Sequence, residues 1–130
     1  MDTVITALLI LCILPISGAW IAGYHKNKQL GTVDNKEPRT QANQLTGAGA
    51  RACAAQANSW EALAIFSAAV LALVIAGVDL ASISTLALIY TGLRIAYIPL
   101  YIGNVDQLRS LVFLGGFGIC MYLFYLALTH

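Results

Sequence analysis

The segment Arg51-Ala-Cys-Ala-Ala-Gln-Ala-Asn58-Ser-Trp-Glu61 carries a guanidinium, an amide and a carboxylate straight into the uncharged run Ala62 to Val78. Arg51, Asn58 and Glu61 stand at i, i+7 and i+10, which places them along one stripe of an α-helix. A carboxylate in an apolar span costs roughly 2.5–3.5 kcal/mol, so Glu61 is expected to face a partner or a watered cavity rather than lipid. A second set, Tyr90, Arg94, Tyr97 and Tyr101, falls at i, i+4, i+7 and i+11 and gives one helix face three phenols and a guanidinium. Glu61 lies 18 residues before Asp79, and Arg94 lies 15 residues after it. At ~1.5 Å per residue the two charges sit about 27 and 22 Å from a turn at Asp79, similar depths in adjacent antiparallel helices. A Glu61–Arg94 ion pair is therefore expected, with Asn58 and Tyr97 beside it. Such a pair can serve only to hold a bundle in register. Its company argues for more: Arg51, Asn58, Tyr97, Tyr101 and Arg109 cluster toward the same side, where a soluble anion could enter.

The elements that must hold these residues are membrane spans. The chain has 130 residues, of which 10% are charged and 59% hydrophobic, and its mean hydropathy is +0.78. Thr3–Tyr24, Ala62–Val78, Leu80–Leu93, Ile95–Val105 and Ser110–His130 contain no Asp, Glu, Lys or Arg. The fold class expected is an all-α integral membrane protein, a single domain over residues 1–130 forming a four-transmembrane-helix antiparallel bundle. The approximate spans are 3–24, 44–77, 81–101 and 107–129. Asp2 and the length of the first apolar run argue against a cleaved signal peptide, and Cys12 has no small residue just before it, so Met1 onward is expected to be retained.

All seven basic residues, Lys26, Lys28, Lys36, Arg39, Arg51, Arg94 and Arg109, fall in or toward the first or third connection, whereas the second connection holds only Asp79. By the positive-inside rule the first and third loops face the cytoplasm and both termini face outward, with a bacterial inner membrane as the expected location. A net charge of +1 gives no reason to expect nucleic-acid binding. Cys12, Cys53 and Cys120 lie on three different helices at no ligand spacing and read as apolar fillers, so no metal site is expected.

Pro15 and Gly18 predict a bend in the first helix. His25–Asn43 reads as a polar loop suited to an anionic leaflet surface. The second helix, from Gln44 to Gly77, is longer than the hydrocarbon core, so Arg51 is expected in the headgroup zone or the cytoplasm. Gly77-Val78-Asp79 and Gly103-Asn104 mark turns, and Gly115, Gly116 and Gly118 would permit close packing of the fourth helix.

The motif Arg51 to Glu61, the run Arg94-Ile-Ala-Tyr97-Ile-Pro-Leu-Tyr101 and the pair Arg109-Ser110 together resemble the MAPEG superfamily, membrane-associated proteins in eicosanoid and glutathione metabolism, and most of all its bacterial branch. The resemblance covers nearly the whole chain. It implies a homotrimer binding glutathione between neighbouring subunits near the cytoplasmic face, and a transferase or peroxidase acting on a lipophilic small molecule from the bilayer. Asn58 and Glu61 match positions that contact the tripeptide, and Arg51, Arg94, Tyr97 and Tyr101 match positions that line its pocket. Arg109 matches the arginine that helps activate the thiol. A thiol of pKa ~8.5 is mostly protonated at neutral pH, so nearby positive charge raises its thiolate fraction.

The chain departs from the enzymes where they carry an arginine four residues before the motif asparagine, since Ala54 stands there and Ala57 next to the asparagine is neutral too. These two alanines support an alternative, a non-catalytic membrane trimer that binds membrane lipids or a small molecule. A third class, small four-helix exporters, keeps its essential carboxylate in the first helix, and Thr3–Tyr24 has none.

Overall fold

The computed structural model describes residues 1–130. The first helix, α1 (Asp2–Leu30), ends where Gly31 takes a left-handed conformation at φ 83° and its N–H bonds back to the Asn27 carbonyl. It continues six residues past the expected end at Tyr24. No breaker intervenes before Gly31, and the extension is held from the side: the Gln29 amide exchanges two hydrogen bonds with the backbone of Thr46. At Gly18 a Cβ would lie 3.0 Å from Cβ of Gln56, which explains why the smallest residue stands where the next long helix crosses.

The polar stretch after α1 is shorter than expected and is folded. A short helix, α2 (Pro38–Ala42), opens with proline in its first turn, where a missing N–H removes no bond. Gln41 is buried, donates to the Thr32 carbonyl and accepts from the Asp34 N–H. Lys26, also buried, donates to the Pro38 carbonyl at 2.9 Å and ties this segment to α1.

The second long helix, α3 (Gly47–Ala76), begins three residues later than expected because Gln44 and Leu45 bond back to Gln41 and Ala42 in a turn. It ends at Gly77, φ 79°, with Val78 N–H bonded to the Leu73 carbonyl and Gly77 N–H to the Val74 carbonyl, a Schellman closure. Asp79 then accepts from the Ala81 N–H and starts a 3-10 turn over Leu80–Ile83 that leads into α4 (Ser84–Ile102). The next turn places Asn104, not Gly103, in the left-handed region at φ 59°. The last helix is α5 (Asp106–Thr129). Four of these segments, counting the 3-10 turn with α4, are long and apolar enough to cross a membrane.

The apolar core lies in the half of the bundle that contains the turn at Asp79. Val4, Ala7 and Leu11 of α1 meet Phe66, Ala69, Val70 and Leu73 of α3, Ala87 and Tyr90 of α4, and Cys120 and Leu123 of α5. The Phe66 and Tyr90 rings stack with centroids 4.5 Å apart. Of the three glycines on α5, only Gly116 is buried: a Cβ there would meet the Tyr90 ring at 3.3 Å, whereas Gly118 faces open space. The opposite half, which carries six of the seven basic residues outright, is packed differently. From Asp106 to Gly115 no residue of α5 is buried, and this stretch meets α4 through partly exposed side chains such as Arg109 and Phe113.

Candidate functional site

Arg94 sits on the inward face of α4 and is only 2% exposed. Its guanidinium donates from Nη2 to Asn58 Oδ1 at 2.7 Å and lies over the Tyr97 ring, 4.2 Å from the centroid. Asn58 in turn donates from Nδ2 to Glu61 Oε2 at 3.3 Å. The expected direct Glu61–Arg94 ion pair is therefore replaced by a relay, cation to amide to carboxylate. The reason is rotational. Glu61 is exposed on α3 while Arg94 points between α3 and α4, and three residues N-terminal to Glu61, on the flank nearer α4, Asn58 can reach both.

Tyr97, buried, makes an edge contact with Tyr101 at 5.7 Å, and the Arg109 guanidinium stacks over the Tyr101 ring at 4.4 Å. Two arginines are thus seated on consecutive phenol rings, which fixes each guanidinium plane; Arg109 lines the open cleft, whereas Arg94 is buried with Nη2 bonded to Asn58. Asn58, Tyr97, Tyr101 and Arg109 line one open cleft of about 430 Å³ together with Ser110, Phe113 and Leu114. That size falls within the ~300–1,000 Å³ of small-molecule sites. Phe113 also borders a separate, small apolar recess among α3, α4 and α5, walled by Ala62, Ile65, Tyr90, Arg94, Gly116, Phe117 and Cys120.

Four of the seven expected site residues therefore share the cleft, and Arg94 forms its support from behind Tyr97. Glu61 reaches the cleft only through Asn58. Arg51 does something else: half-buried, it donates from Nε to the carbonyl of Ile102 at 2.9 Å and closes the C-terminal end of α4. Tyr90, on the same face as the other phenols, belongs to the apolar core and donates its hydroxyl to the Ala62 carbonyl at 3.0 Å. Phe113 and Leu114 were not singled out in the sequence, although Phe113 follows Arg109 by one helical turn and Phe117 by two, a spacing that marks the shared face.

The fold defines the class, an α-helical integral membrane protein with four spans and a cleft lined by Asn58, Tyr97, Tyr101 and Arg109 at its basic end. The chain matches the MAPEG family over residues 3–129 and belongs to it. Comparison with curated proteins and with solved structures finds no match.

Proposed function

We propose that the cleft between α4 and α5 binds glutathione and presents its thiol to a lipophilic electrophile or hydroperoxide arriving from the bilayer. The observation that carries this reading is the grouping of Asn58, Tyr97, Tyr101 and Arg109 around one opening whose remaining wall includes the apolar Phe113 and Leu114. The donor set fits a small anionic thiol: a guanidinium for a carboxylate or thiolate, and phenol, amide and hydroxyl groups for a peptide backbone. Bound glutathione would supply the sulfur nucleophile. Arg109 would favour its ionised form, and Tyr101 would hold Arg109 in place. Arg94 and Asn58 would fix the wall against which the tripeptide lies.

A homotrimer accompanies this reading. Glu61 is exposed on a stripe of α3 that also carries the exposed Ala57, Ala64 and Ala68. A carboxylate there is costly against lipid, and small neighbours allow close approach of another helix, so a second copy of the chain would shelter it. With the basic end on the cytoplasmic side of a bacterial inner membrane, glutathione would reach the cleft from the compartment that holds it.

Isothermal titration of glutathione into the detergent-solubilised protein, with Arg109→Ala and Ser110→Ala in parallel, tests the reading. Binding that weakens tenfold or more in Arg109→Ala supports it and justifies assays with electrophiles and hydroperoxides. No heat up to millimolar glutathione overturns it. The neutral side chains of Ala54 and Ala57 favour the second reading in that event, a non-catalytic membrane protein that binds a lipid or lipophilic small molecule in the same cleft.

A further inference from the structure

One face of α1 changes character along its length in the order of the layers of a lipid leaflet. Leu9, Ile13 and Ile16 are exposed, then Trp20 at 72%, Tyr24 at 62% and finally Lys28. Trp20, Tyr24 and Lys28 stand at i, i+4 and i+8 and so lie one above another. Side chains on a helix lean toward its N-terminus, and Lys28 does so here: its ammonium lies over the Tyr24 ring, 5.9 Å from the centroid. The charge is thereby drawn to the level of Tyr24, about 6 Å along the axis from Trp20, which is close to the ~5–7 Å depth of one headgroup layer. Tyr24 is braced from the side by His25, whose ring meets it edge-on at 5.3 Å. The only carboxylate on α1 is Asp2 at the far end, so nothing on the helix neutralises Lys28.

We infer that this stripe is a binding site for an acidic phospholipid, distinct from the cleft on α4 and α5. The acyl chains would lie along Ile13 and Ile16, the glycerol esters would meet the Trp20 and Tyr24 rings, and the phosphodiester would accept from the Lys28 ammonium. Trp and Tyr suit the interfacial level by their amphipathic rings, and a lysine near an anionic surface contributes about 1 kcal/mol of attraction, or about fivefold in affinity over a zwitterionic lipid.

The two tryptophans make the test direct. In a Trp60→Phe background Trp20 is the sole indole. The protein is reconstituted into phosphatidylcholine vesicles containing phosphatidylglycerol, with brominated acyl chains carried by one lipid or the other at equal mole fraction. Brominated phosphatidylglycerol is expected to quench Trp20 with a relative affinity about fivefold above that of brominated phosphatidylcholine, and Lys28→Gln is expected to bring that ratio to about one. Equal quenching by the two lipids in the Trp60→Phe protein overturns the proposal, as does a preference that survives Lys28→Gln. Quenching by neither lipid would mean that another copy of the chain covers the face, and overturns it as well.

Discussion

Replacing Asn58 with alanine isolates the relay that substitutes for a direct ion pair. The change removes the acceptor of a 2.7 Å bond from a guanidinium that is 2% exposed. A hydrogen bond to a charged group contributes roughly 1.5–3 kcal/mol, and the buried donor is left without its partner. The Glu61 arm is longer, 3.3 Å, and belongs to an exposed carboxylate, so Glu61→Gln is expected to cost less than about 1 kcal/mol. Asn58→Ala should therefore destabilise the fold by about 2 kcal/mol, a factor of about 30 in the folded-to-unfolded ratio. In the Asn58→Ala background Glu61→Gln should add almost nothing, because its route to Arg94 has gone. The assay is reversible unfolding in mixed micelles of a mild detergent and dodecyl sulfate, followed by helix content at two protein concentrations. The second concentration separates loss of an assembly contact at Glu61, which depends on concentration, from loss of the relay, which does not. A concentration-independent cost for Glu61→Gln that equals that of Asn58→Ala, or persists without Asn58, would show that carboxylate and guanidinium touch directly and that the relay is wrong.

Gly116→Ala should destabilise by about 1 kcal/mol because its methyl presses on the Tyr90 ring. Gly118→Ala, facing open space, should be neutral or stabilise by up to about 1 kcal/mol through helix propensity; thermal melts of the two variants in detergent check the contrast. Arg51→Ala should lower stability by about 1–2 kcal/mol by freeing the Ile102 carbonyl, with glutathione affinity falling less than in Arg109→Ala, as titration would measure. Tyr90→Phe should cost about 1 kcal/mol in the same unfolding assay, since the ring keeps its stack on Phe66 and loses the hydroxyl's bond to Ala62.

The four spans were legible because long runs without charge mark them, and the Arg94 face because its residues recur at helical spacing within one helix. The spacing of Arg94, Tyr97 and Tyr101 sets a common face, and the structure puts all three around one end of the bundle. What escaped the sequence depends on how one helix is rotated against another. Depth counting put Glu61 and Arg94 at the same level, but only the rotation of α3 decides that Asn58 stands between them. The partner of Arg51 is a backbone carbonyl 51 residues away, and carbonyls leave no mark in a sequence. Gly115, Gly116 and Gly118 read alike, yet only Gly116 is buried against a phenol. The end of α1 was misjudged because His25–Leu30 is polar enough to look like a loop, while its helix is completed to Gly31 and anchored from the side through Gln29 and Lys26.

The unburied start of α5 has a consequence for ligand choice. From Asp106 to Gly115 the helix carries Arg109, Ser110, Phe113 and Leu114 into the cleft without a single side chain locked in the apolar core, which it joins only at Gly116. Opening free energy is lowest where buried contacts are fewest. This wall meets α4 through Arg109 on Tyr101 and Phe113 beside Tyr97, whereas the stack of Tyr90 on Phe66 lies in the buried core. If the cleft takes a lipophilic ligand beside glutathione, as proposed, this less buried wall would yield before the core does, and Arg109, which it carries, would move with it.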